Sequence, residues 1–178
     1  MSKKAIQISP HKRIFEFALL EARRSPDIRK QVGAIITTTD YEIIATGYNS
    51  RPEKDVDYCN CINPNTGSSH PALLHAEERA ILRAGYNNTK GAYIFVTHCP
   101  CLKCASKILD ADISKVFFLE DHDEGEGARY LVKNGVDVTQ ITGIRKAIDK
   151  RIALYDETGR SSYEDDSEDE YEEKIDIV

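Results

Sequence analysis

The apolar positions of this chain change period along its length, and the changes mark out its elements. Across residues 10–24, Ile14, Phe15, Phe17, Ala18, Leu19 and Ala22 recur at three- and four-residue spacing, which predicts a first helix ended by Ser25-Pro26. Residues 32–38 and 43–48 are β-branched runs separated by Thr39-Asp40-Tyr41-Glu42, the pattern of a hairpin. From 49 to 69 neither period holds. Pro, Asn, Asp, Gly and Ser accumulate there, which predicts a long loop, and in compact domains such loops tend to be functional or flexible. Helical spacing returns over 71–84, with Ala72, Leu73, Ala76, Ala80, Ile81 and Ala84 apolar and Gly85 closing the run. Strand and helix then alternate: strands over 92–97, 115–119 and 136–139, helices over 101–109, 127–133 and 144–154. A helix between successive strands must pack back on the sheet, so neighbouring strands after the hairpin run parallel. The expected fold class is α/β, a three-layer α/β/α sandwich on a five-stranded mixed sheet.

A chain of 178 residues, 40% hydrophobic, suits one domain with a sizeable core. The formal charge of −6 is unevenly distributed. Between Asp156 and Val178 eleven residues are acidic and two basic, which leaves the body with 19 acids against 22 bases. This predicts a folded domain over 1–155 and an acidic tail over 156–178, too polar to bury anything and expected to be disordered. A mildly basic body suits a small anionic ligand and argues against duplex nucleic acid, which calls for a strongly basic face. No apolar run approaches the roughly 18 residues of a membrane span. The N-terminal MSKKAIQISPHKR has charge without an apolar stretch behind it, so the expected location is cytoplasmic.

Five cysteines fall in two tight groups, Cys59 with Cys61, and Cys99, Cys101 and Cys104. Clustered thiols beside histidines point to metal or redox chemistry before cross-links. A catalytic zinc takes three protein ligands and keeps a fourth position for water, and His75, Cys101 and Cys104 supply that count. The two cysteines, three apart at a helix start behind Pro100, lie on one face of the first turn. Glu77, two residues beyond the histidine, is placed to exchange protons with the metal's water without ligating. Alone, Cys-x-x-C is equally a redox pair or half of a structural zinc site. Joined to His-Ala-Glu at a second helix start, it is the signature of zinc nucleobase deaminases.

Here the sequence resembles the deoxycytidylate (dCMP) deaminase branch of the cytidine deaminase superfamily. Ser25-Pro26-Asp27, Gln31-Val32-Gly33-Ala34, Gly47-Tyr48-Asn49, His75-Ala76-Glu77, Pro100-Cys101-Leu102-Lys103-Cys104-Ala105, Tyr130-Leu131 and Gly135-Val136 follow that branch's pattern in order and spacing over roughly residues 10 to 140. The resemblance implies a catalytic Zn2+ on His75, Cys101 and Cys104, Glu77 as proton shuttle, and a homo-oligomer, frequently a hexamer. It implies that Asn49 contacts the sugar and that the Ala76 amide meets the base carbonyl. Basic residues near the mouth, among Arg23, Arg24, Arg29 and Lys30, would hold the phosphate, with Ser25 beside them. Some members respond to a nucleoside triphosphate effector at the loop after Asn49, where Arg51 and Lys54 stand.

Two features depart from the pattern. The family writes His-Ala-Glu-x-Asn-Ala, whereas this chain has Arg79 in place of the asparagine; its planar fork suits phosphate, or admits a modified or larger nucleotide. Cys99 adds a third thiol beside the ligands, read as a packed thiol with a substitute ligand as the alternative. Cys59, Cys61 and His70, with His98, are a candidate set for a second, structural zinc, against a loop with ordinary thiols. Competing functions are a tRNA adenosine deaminase sharing the metal motif, and a non-catalytic zinc module.

Overall fold

The structure, a computed structural model, describes residues 9–158 and 174–177. Helix α1 (Pro10–Ala22) starts where Ser9 accepts a hydrogen bond from the Lys12 amide and Pro10 fills the first helical position, where its missing N–H costs nothing. Strands β1 (Gly33–Thr37) and β2 (Ile43–Tyr48) form the antiparallel hairpin, with a register shift at Ile36/Thr37. Then come α2 (Ala76–Ala84), β3 (Tyr93–His98), α3 (Leu102–Asp110), β4 (Lys115–Glu120), α4 (Glu126–Lys133), β5 (Asp137–Thr142), α5 (Arg145–Thr158) and β6 (Lys174–Ile177).

The sheet order is β2-β1-β3-β4-β5-β6. β1 pairs antiparallel with both β2 and β3, whereas β3–β4 and β4–β5 are parallel. The mixed five-stranded sheet expected from the alternation is therefore present. β1 is buried at every residue and β3 and β4 at four of six, as near-continuous apolar runs require of strands covered on both faces. Helices α2, α3 and α4 close one face through Ala80, Ile81, Ala105, Ile108, Ala128 and Leu131 against Ile36, Ile94, Val96, Val116 and Phe118. On the other face α1 and α5 bring Ile14, Phe15, Ala18, Leu19, Ile144 and Ile148 onto Ile35, Phe95 and Phe117.

Two expectations are corrected. The helix expected over 71–84 begins only at Ala76, because Leu74 is held in a β-bridge with Ser50 and residues 71–75 follow an irregular path. The tail does not detach at Asp156: α5 continues to Thr158, and 174–177 adds a sixth strand antiparallel to β5. The expected disorder otherwise concerns residues 159–173, which lie outside the described residues. No helix of the described residues is long and apolar enough to cross a membrane.

Candidate metal centre and active-site cavity

Two nine-residue helices on the same face of the sheet point their N-termini at one spot. His75 is the N-cap of α2 (φ −74°, ψ 159°) and Cys101 the N-cap of α3 (φ −70°, ψ 164°). Each is thus the last extended residue before a helix, with its side chain at the positive end of the helix dipole. Cys104 lies one turn into α3 and is buried. His75 Nδ1 stands 3.3 Å from Cys104 Sγ and 3.7 Å from Cys101 Sγ, and all three donor atoms fall within 4.8 Å of one another. A tetrahedral zinc with Zn–S of about 2.3 Å and Zn–N of about 2.1 Å separates nitrogen and sulfur by roughly 3.6 Å, so the set fits one zinc ion. His75 and Cys101 are only half-buried and both line a cavity, so an ion held there would be reachable by a ligand.

In the metal-free triangle the three donors share protons, and a zinc ion there would displace those on Cys104 and His75. Cys101 is held as a thiolate, its pKa lowered to about 3 chiefly by the hydrogen bond from the Cys104 thiol and also by His75. Cys104 is pushed up by the same hydrogen bond and by burial. The His75 pKa is raised, first by its hydrogen bond with Cys101. Glu77, on the first turn of α2, is 4% exposed, and burial raises its carboxyl above the usual carboxylate range.

Glu77, His75, Ala76 and Cys101 form one wall of a cavity of about 410 Å³. Its opposite side is built by Asn49 and Val32, and its rim carries Asp27, Arg29, Lys30, His98 and His122. These come from the ends of β2, β3 and β4 and the start of β1, the carboxyl side of the parallel strands, where α/β sheets bind ligands. Asn49 is 6% exposed; its Oδ1 accepts from the Val32 amide and its Nδ2 donates to the Lys30 carbonyl, both at 2.8 Å. Each amide atom retains one further bonding position toward the cavity. Arg29 donates to the Asp27 carboxylate, to Ser69 Oγ and to the Gly67 carbonyl, and Lys30 Nζ lies 3.2 Å from His122 Nδ1.

Not every expected contact reaches the cavity. Ser25 sits behind Asn49, donating to its carbonyl at 2.6 Å. Arg79 turns away: its guanidinium binds the carbonyls of Tyr48, Ser50 and Arg51, because a helix-surface arginine facing a loop with unpaired carbonyls finds more acceptors there than in the cavity. Arg23 pairs with Asp156 and Arg24 with Glu21. Cys99 does line the cavity, packed against the α2–α3–α4 core with its pKa pushed up to about 11 by burial.

The second metal set does not converge. Among the described residues, His75, Cys101 and Cys104 are the only group of three donors brought together. Cys59 is exposed, Cys61 buried, and His70 Nδ1 accepts from the Ala72 amide. His98 instead lines the cavity, where its Nε2 lies 3.0 Å from Glu120. His122 was missed by sequence reasoning, although its place just after a parallel strand was an available signal.

A family model described as the cytidine and deoxycytidylate deaminase zinc-binding region matches residues 8–120. The deoxycytidylate deaminase of Homo sapiens is 34% identical over 129 residues, 68% of this chain and 72% of that protein. The deoxycytidylate deaminase of Saccharomyces cerevisiae is 36% identical over 135 residues, 71% of this chain but only 43% of that longer protein. A dCMP deaminase from the cyanophage S-TIM5, solved in complex with dCMP and dUMP, superposes with a TM-score of 0.64 at 28% identity, covering 75% of this chain and 99% of that one.

Proposed function

This chain belongs to the cytidine and deoxycytidylate deaminase zinc-binding family, and from that premise we propose that it is a hydrolase converting dCMP and water to dUMP and ammonia. One observation carries the reading: a zinc-fitting His75, Cys101 and Cys104 triangle shares a cavity with a buried glutamate that ligates nothing. A structural zinc site has no use for such a carboxylate. The cyanophage dCMP deaminase, bound to dCMP and dUMP, supports the choice of substrate.

His75, Cys101 and Cys104 would hold a zinc ion, which when bound would lower the pKa of its water to about 7. Glu77 accepts a proton as water oxygen bonds to the ring carbon bearing the amine, and passes it to the adjacent ring nitrogen. It then carries the second proton to the amine, which leaves as ammonia as the carbonyl forms. The Ala76 amide, at the first position of α2 and without an intrahelical acceptor, donates to the base carbonyl. Asn49 holds the sugar through its remaining bonding positions, and Arg29 and Lys30 face the 5′-phosphate. The family resemblance extends the proposal to a cytoplasmic homo-oligomer, a hexamer; five free thiols suit a reducing compartment. A triphosphate effector after Asn49 would meet exposed Lys54, and would compete with Asp55 for Arg51, paired at 2.6 Å.

The test is ammonia release from dCMP, CMP, deoxycytidine and their 5-methyl forms by zinc-loaded protein, with dCMP the preferred substrate. Glu77→Ala should lose about 10²-fold or more in kcat with its zinc content unchanged, and Cys101→Ala should lose the metal. No turnover of any of these compounds by zinc-bound protein would refute the assignment.

A further inference from the structure

The arginine that departs from the family pattern has a structural use. Arg79 is on the first turn of α2, two residues past Glu77, and its side chain is 7% exposed. Its Nε donates to the Tyr48 carbonyl at 2.9 Å, and Nη2 donates to the Ser50 carbonyl at 3.1 Å and the Arg51 carbonyl at 3.0 Å, with the Ser50 hydroxyl as a further acceptor. The Tyr48 ring lies beneath the guanidinium, 4.8 Å from its carbon. The chain from Tyr48 to Arg51 thus curls around one planar cation.

The residue inside that curl is Asn49, whose own carbonyl faces the other way, toward Ser25. Fixing the carbonyls on both sides of Asn49 holds the backbone from which its side chain meets the Val32 amide and the Lys30 carbonyl at the cavity wall. Ser50 also exchanges both backbone hydrogen bonds with Leu74, at 3.2 and 3.0 Å, which ties the curl to the segment before α2. An asparagine at position 79 has two amide donors on a shorter stem, whereas arginine has five donors in a rigid fork; only the latter spans carbonyls of three residues.

We propose that Arg79 is a positioning residue that sets Asn49 for the sugar of the substrate, so that nucleotide binding, and not metal binding or proton transfer, depends on it. The inference rests on the proposed deaminase reading for its substrate and on the hydrogen bonds alone for its geometry. With the intact zinc-loaded protein, Arg79→Gln should raise KM for the cytosine nucleotide by about tenfold or more while kcat changes little, with zinc retained. The Asn49→Ala and Arg79→Gln effects should not add: in the double variant KM stays close to that of Asn49→Ala alone. Backbone amide exchange at Ser50 and Leu74 should accelerate in Arg79→Gln while β3 amides keep their protection. Arg79→Lys, which keeps the charge but not the fork, should be intermediate in each measure, and carries the test if the glutamine variant fails to fold. Unchanged KM, additive effects, or a fall in kcat at constant KM would overturn the proposal. Should the wild type turn over no cytosine nucleotide, the function assignment fails by itself, and amide exchange still judges the clamp without substrate.

Discussion

His98 shows how a single buried side chain ties this site to pH. Burial lowers its pKa to about 4, against the pull of the Glu120 carboxylate and with the help of Lys30, Arg145 and His122. In the unfolded chain a histidine takes up its proton near 6.5. Between those two values the unfolded state binds more protons than the folded one, so stability is lost as pH falls from about 6.5 toward 4. Replacing the side chain by His98→Gln should flatten that part of the profile, by on the order of 1–3 kcal/mol at the acid end. Urea melts of wild type and variant at pH 7 and pH 4.5, both zinc-loaded, read the difference; parallel profiles would show that His98 binds its proton equally well in the folded and unfolded chain. His75, Glu77 and the two ligand cysteines were identified from residue type and spacing, because helix-start ligands are local in sequence. Arg79 was misread as a ligand contact, since nothing in its neighbours tells which carbonyls a helix surface will meet.

At the level of elements, the site depends on how closely helices approach strands and one another. A Cβ on Gly127, in the first turn of α4, would fall 1.9 Å from the Pro100 carbonyl oxygen and 3.0 Å from the Cys101 carbonyl carbon, so α4 is pressed against the backbone that carries a zinc ligand. A Cβ on Gly33 would fall 1.9 Å from the Ala18 carbonyl oxygen, an equally tight contact on the α1 face. Gly127→Ala and Gly33→Ala should each cost about 1–3 kcal/mol, as overpacked cores do. They should part in zinc affinity: competition with a chelator should show Gly127→Ala releasing zinc more readily, with Gly33→Ala holding it like wild type. Equal affinities in both variants would mean that the Cys101 segment is positioned independently of α4. Strands and helices were largely legible from their periods, and the boundaries that moved did so for tertiary reasons. The start of α2 slipped from 71 to Ala76 because Leu74 is claimed by Ser50 across a loop, a pairing that no local pattern encodes.

For the molecule as a whole, the cavity is lined by residues between Asp27 and His122, while the described residues after Thr158 meet the fold through the β5–β6 pairing. Truncation after Thr158 should therefore leave turnover per bound zinc nearly unchanged and uncover the β5 edge. A loss of about 1 kcal/mol would lower the melting temperature by roughly 2–4 °C; calorimetry and ammonia release measure the two effects, and lost turnover would place the tail in the catalytic apparatus. The acidity of that tail was plain in the sequence, but its terminal strand was not, because four residues of KIDI pair only where a sheet edge is offered. The amino-acid sequence by itself determined the alternation of elements, the layered α/β architecture and the residue types of a zinc-fitting triangle with a glutamate beside it, since each follows from short-range periodicity or ligand chemistry. Tertiary structure alone decided which cations face the cavity, that Asn49 is aimed by a clamp behind it, and that Cys59, Cys61 and His70 are not brought together among the described residues. Those outcomes depend on which distant backbone groups meet, and that is settled by packing across the sheet, not by neighbours in the chain.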